Sequence, residues 1–153
     1  MLRLKASQQK SPRRTEKRRG AAMVEMAVCF PIFMLMLLGI IEFGRAMMVS
    51  QLLTASAREA CREAIIDSAT DASVSADIVN RVTTMVGCTS TDVTVDIAVS
   101  DATDGTALTG IDAANKRDII EIDITVPFDA VGFTSGRFLN GAALRGQCAI
   151  RKE

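Results

Sequence analysis

From Ala21 to Ile41 the chain reads AAMVEMAVCFPIFMLMLLGII, an apolar run interrupted by Glu25 and Pro31. At about 1.5 Å per residue, a helix of this length spans roughly 31 Å, one hydrocarbon thickness. Pro31 is tolerable in a membrane helix, where it loosens or kinks one turn. Beyond Ile41 the pattern turns from continuous to periodic. Phe43, Ala46, Ser50, Leu53, Ala57, Ala60, Cys61 and Ala64 recur at spacings of three and four and share one helical face. Arg45, Gln51, Arg58, Glu59, Arg62 and Glu63 gather on the other side. No Gly or Pro follows Gly44 in this stretch, so residues 42–67 read as the same helix continuing into water. The stripe is narrow and mostly of small residues. It suits a core-facing helix and equally a contact between subunits.

Residues 68–153 alternate in other ways. SATDASVSADIVNRVTTMVGC offers cap residues, then a helix near Val74–Val86 with Gly87 as its stop. DVTVDIAVS, Asp92–Ser100, alternates polar and apolar and predicts a strand. The stretch 101–118 reads as a loop punctuated by Gly105 and Gly110. IIEIDITVPF, Ile119–Phe128, is the strongest strand pattern, ending at Pro127. FDAVGFTSGRFLNG is irregular with room for a helical turn, and Ala143–Arg151 closes as a third strand. The expected class is α+β: a small antiparallel sheet of about three strands. One face is acidic and wet. The other, carrying Val93, Val95, Ile97, Ile120, Ile122 and Ile124, packs on the long helix.

Charge divides the chain further. The net charge is zero, yet residues 1–20 hold eight basic side chains and one acid, for +7, leaving −7 on the rest. This basic segment shows no apolar period and reads as disordered in isolation. Nucleic-acid binding is the functional alternative. A basic tail abutting a hydrophobic span is better read as a topology signal that keeps the N-terminus cytoplasmic. The organisation is then a leader or tail (1–20), a transmembrane segment (21–41), an external helix (42–67) and an external α+β domain (68–153). A cleaved secretory signal competes with the retained anchor, but the run is long for one and no clean Ala-x-Ala site follows it. The chain has no His, which removes the commonest general base and metal ligand.

The junction carries the most specific signal. Basic residues precede Gly20, the apolar helix starts at Ala21, and Glu25 stands five places beyond the glycine. This arrangement resembles the cleavage junction of type IV prepilins, where a prepilin peptidase cuts after the glycine and leaves the hydrophobic segment in place. Over about residues 18–64 the chain closely resembles the TadE-like family of the tight-adherence (Flp) pilus system. Gly20, Val24, Glu25, Pro31, Gly39, Glu42, Gly44 and Arg45 carry the resemblance, and the ending CAIRKE shares it weakly. A major Flp pilin more often has Tyr after the Glu and a much shorter mature chain. Met26 and the long remainder here favour the pseudopilin branch.

The resemblance implies a pilin-like fold and a minor pseudopilin of the bacterial inner membrane, with its C-terminal domain outside the cytoplasm. Its implied partners are the membrane, the prepilin peptidase, other pilins and pseudopilins, and the pilus assembly machinery, with no nucleic acid and no cofactor. Cleavage between Gly20 and Ala21 frees the Ala21 amine, and Glu25 lies four residues later on the same face. The bland alternative has Glu25 snorkelling to the headgroups. Glu42, Gly44 and Arg45 mark the far membrane boundary, with Glu42 and Arg45 spaced for an i,i+3 pair.

Of the four cysteines, Cys29 reads as apolar filler. Cys88 and Cys148 are the favoured disulfide in an oxidising compartment. Their loop of about sixty residues is worth roughly 4 kcal/mol by chain entropy. Cys61–Cys148 and Cys61–Cys88 stay open. Asp92, Asp96, Asp101, Asp104 and Asp112 lack EF-hand spacing and read as solvated positions. Without His or paired CxxC, no metal site is expected, and no nucleophile–base set argues for an enzyme. Two alternatives stand beside the pseudopilin. One is an unprocessed bitopic membrane protein whose external domain binds a ligand or partner. The other is a secreted enzyme behind a signal peptide.

Overall fold

In the computed structural model, which describes residues 13–66, 68–101, 105–132 and 138–152, the longest element is α1, Arg13–Ala64. The helix runs through Pro31 and starts seven residues before Gly20. The expectation of a disordered basic tail therefore gives way to helix over residues 13–20; residues 1–12 lie outside the described part. The physical reason is propagation. Arg, Lys and Glu are good helix formers, and adding a residue to an existing helix costs far less than nucleating one.

The chain divides into two compact parts, one ending at Gly39 and the other beginning at Ile40. In the first, no residue from Gly20 to Gly39 is buried. A helix with no polar face and no protein cover is suited to lipid. Gly20–Ala64 contains the stretch long and apolar enough to cross a membrane, with a mean hydropathy of 2.4.

In the second part, Glu42, Ala46, Val49, Leu53, Ala57, Ala60 and Ala64 are all buried, at spacings of three and four. This face is rotated slightly from the predicted stripe. Phe43 is 54% exposed and Val49 is fully buried. Apart from half-buried Ser50, the rest of the predicted stripe is buried, and the regular period passes through Glu42 rather than Phe43 at its start. The second helix, α2, is Asp71–Val86, and it buries Val74, Ile78, Val82 and Val86 at intervals of four. Thr70 caps it reciprocally with Ser73: the Ser73 N–H donates to Thr70 Oγ1 at 3.2 Å, and the Thr70 N–H donates to Ser73 Oγ at 3.1 Å. Gly87, at φ +82°, ends it in the left-handed conformation that glycine adopts without strain.

The sheet contains β1 (Thr94–Ser100), β2 (Ala107–Leu108), β3 (Ile119–Pro127) and β4 (Ala143–Arg151). Its order is β2-β1-β3-β4, antiparallel throughout. There are four strands rather than about three, because a two-residue edge strand is too short to show a period of two. β3 is central and buries Ile120, Ile122, Ile124 and Val126, each worth about 1.5–3 kcal/mol. The other face carries Asp96, Asp123 and Gln147 in one cross-strand row, with Gln147 donating to Asp123 at 2.9 Å.

Helix and sheet meet at Gly146. A methyl group there would collide with the backbone of Leu53 and Thr54. The glycine thus lets β4 approach α1 at backbone contact distance. Gly146→Ala is expected to destabilise the body by about 2 kcal/mol or more, since backbone must shift to admit the methyl. Hydrogen exchange of β3 and β4 amides in the detergent-solubilised chain measures this. Unchanged protection would contradict the close approach.

Candidate functional site: the helix junction and the membrane boundary

Gly20 and Ala21 lie inside α1, four to five residues before Glu25, on an exposed stretch. Ala21 and Glu25 share a helical face about 6 Å apart along the axis. Glycine costs about 1 kcal/mol relative to alanine within a helix, so Gly20 is a weak point in it. A carboxylate at Glu25, followed by Met26, Val28, Phe30 and Ile32, all exposed, interrupts an otherwise apolar surface.

Further along, Glu42 and Arg45 are brought into a structural cluster that their spacing did not reveal. Glu42 is 1% exposed. Its Oε2 accepts the Phe138 backbone N–H at 2.9 Å, across 96 residues of sequence. Burial of a carboxylate is tolerable only where donors meet it. Arg45 donates from Nε to the Val131 carbonyl at 3.1 Å and from Nη2 to the Val86 carbonyl at 3.0 Å. Val86 is the last residue of α2, whose final turn has no basic residue of its own. Arg45 therefore supplies from α1 the cation and donor that a helix C-terminus lacks. The residues expected to mark a boundary also bind the body to the helix. The i,i+3 spacing gave no sign of these backbone partners, because backbone acceptors carry no sequence signature. Gly44 is exposed, and a methyl there would meet nothing within 4 Å.

Of the favoured pair, Cys148 lies on β4 and Cys88 follows the end of α2. Cys29 is exposed on the apolar stretch. Cys88 stands past Gly87, near Asp92. Burial raises its thiol pKa, and the Asp92 carboxylate adds to the rise. Cys61 is fully buried and donates to the Cys148 carbonyl at 3.4 Å. Burial, reinforced by Cys148, pushes the Cys61 thiol from its ordinary value near 9 up to about 12, partly offset by a backbone hydrogen bond at Ile122. Among the acids, Asp92 accepts the Thr89 N–H at 3.1 Å, a local turn cap. Asp96 faces Asp123 on the wet face of the sheet, and Asp104 lies outside the described residues.

Two outcomes follow. Arg45→Met should cost about 2 kcal/mol of body stability in denaturant unfolding, while Gly44→Ala, with open space around it, should leave stability unchanged or slightly raised. Equal effects of the two would contradict the assigned roles. In the reduced chain, the Cys61 thiol favours the folded state fully below pH 9, and this contribution is lost as pH rises toward 12. Stability should fall by up to about 1.4 kcal/mol per pH unit in that window. A Cys61→Ala variant should show a shallower fall in the same titration.

A search among curated proteins and one among solved structures match nothing. Residues 20–62 match the family model described as TadE-like protein. The match begins at Gly20 and includes Ala21, Glu25, Glu42, Gly44 and Arg45. The chain thus carries a TadE-like segment on its long apolar helix.

Proposed function

We propose that this chain is a TadE-like minor pseudopilin, a structural or assembly component of a tight-adherence pilus. The observation that carries the reading is the TadE-like match over residues 20–62, which starts at the glycine of the junction. The apolar helix anchors the chain in the bacterial inner membrane as a single pass. The basic N-terminus stays cytoplasmic, because positive charge resists translocation, and the body from Ile40 onward lies outside. A prepilin peptidase cuts between Gly20 and Ala21, where the glycine weakens the helix. The product keeps its membrane helix and gains an amine at Ala21.

Glu25 then acquires a partner. A bare carboxylate in hydrocarbon costs several kcal/mol, and a nearby cation offsets that cost. The Ala21 amine, its own or a neighbouring pilin's, supplies the charge, and pairing between chains favours one register among packed helices. The new helix N-terminus adds partial positive charge at the same place. Its partners in this reading are the membrane, the peptidase, other pilins and pseudopilins, and the assembly machinery.

Glu25→Gln tests the role. The variant should insert into membranes at the parental level, while surface pili fall tenfold or more, the factor given by losing about 1.4 kcal/mol of pairing. Membrane fractionation and pilus counts in cells carrying only the variant measure the two. Parental piliation would remove Glu25 from assembly. Loss of membrane insertion would return it to a role in the anchor itself.

A further inference from the structure

Cys61 and Cys148 are 87 residues apart in sequence and adjacent in the fold. Cys61 lies on the sheet-facing side of α1 with no exposed surface, and its thiol donates to the Cys148 carbonyl. Cys148 is half-buried on β4, opposite Ile122, two residues beyond Gly146. The absent side chain of Gly146 brings this strand onto Leu53 and Thr54, and Cys61 lies two turns further along the same helix face. The close helix–strand approach thus sets the two cysteines against each other. Cys88 stands elsewhere in the chain order, just after the end of α2.

We propose that Cys61 and Cys148 are a disulfide-forming pair that staples the long helix to the terminal strand. In cells the oxidant is a disulfide of the thiol-oxidase class outside the cytoplasm, and this part rests on the orientation given under Proposed function. The more accessible Cys148 reacts first. Its thiolate attacks one sulfur of the oxidant's disulfide and expels the other as a thiolate. The Cys61 thiol then loses its proton to solvent and attacks the Cys148 sulfur, expelling the second oxidant thiolate. Two protein thiols become one disulfide, and the oxidant's disulfide is reduced to two thiols. The buried Cys61 thiol, held up to about 12, makes this second step slow near neutrality and faster as pH rises. The staple encloses α2 and most of the sheet within one loop. It therefore resists separation of β4 from α1 when the body is pulled against its anchor.

The purified full chain in detergent, reduced and then exposed to oxidised glutathione without denaturant, tests the pairing. Free thiols are blocked with N-ethylmaleimide and peptides are mapped without reduction. The expected product links the Cys61 and Cys148 peptides in most molecules and leaves Cys88 alkylated. Its formation should speed up about tenfold between pH 7 and pH 8, following the thiolate fraction. Cys61→Ser should abolish the link and Cys88→Ser should spare it. Alkylation of both Cys61 and Cys148, or a Cys88–Cys148 link, would overturn the pairing. In cells, the same map is made from acid-quenched membranes, with alkaline phosphatase fused at the C-terminus to report the side of the membrane. An active reporter with unlinked cysteines overturns oxidation in cells. An inactive reporter overturns the orientation and with it oxidation in cells, while the glutathione result still decides the pairing.

Discussion

The body is organised around two charged side chains on the helix turn just past the apolar run. Glu42 is buried and Arg45 half-buried, and both are committed to backbone groups distant in sequence: the Phe138 N–H, and the Val131 and Val86 carbonyls. A charge taken from water is tolerable only when its geometry is satisfied, so these contacts admit few alternative arrangements. The end of α2, the turn after β3 and the approach to β4 are thereby tied to one stretch of α1. Above this point, the small residues Ala57, Ala60 and Ala64 and the bare backbone at Gly146 allow the sheet and helix to pack closely. Apolar burial supplies the driving force, and the polar contacts select the register.

Much of this was legible where period and chemistry coincide. α2, with Gly87 as its stop, and the strands β1, β3 and β4 follow from capping residues and alternation. Three features were not legible. β2 has two residues, too few for a pattern. The helix stripe passes through Glu42, which an apolar criterion rejects. Gly146 looks like an ordinary glycine in a strand; only the helix lying across it shows why a side chain is excluded. The cysteine arrangement belongs with these. Cys61 meets Cys148 because of the helix–sheet crossing, and spacing along the chain carries no trace of it. The i,i+3 relation of Glu42 and Arg45 carries no trace of their long-range partners.

These features suit a protein that works by being held. The TadE-like segment supplies an apolar helix, and Glu42 and Arg45 within it fasten the body. In the proposed pseudopilin, Glu25 governs how the helix meets its neighbours, while Glu42 and Arg45 govern how the body sits on the helix. In that proposal the two acids serve different ends, and each meets the same physical demand: a carboxylate away from water needs a donor or a cation beside it.

The mature N-terminus is the most direct measurement. Mass spectrometry of the chain from native membranes, with and without the cell's prepilin peptidase, reads it. The account predicts a start at Ala21 that depends on the peptidase, with the intact N-terminus retained when the enzyme is missing. An N-terminus at Met1 or Leu2 in both strains would contradict processing and leave Glu25 without its amine. The chain would then be a bitopic anchor for its external domain.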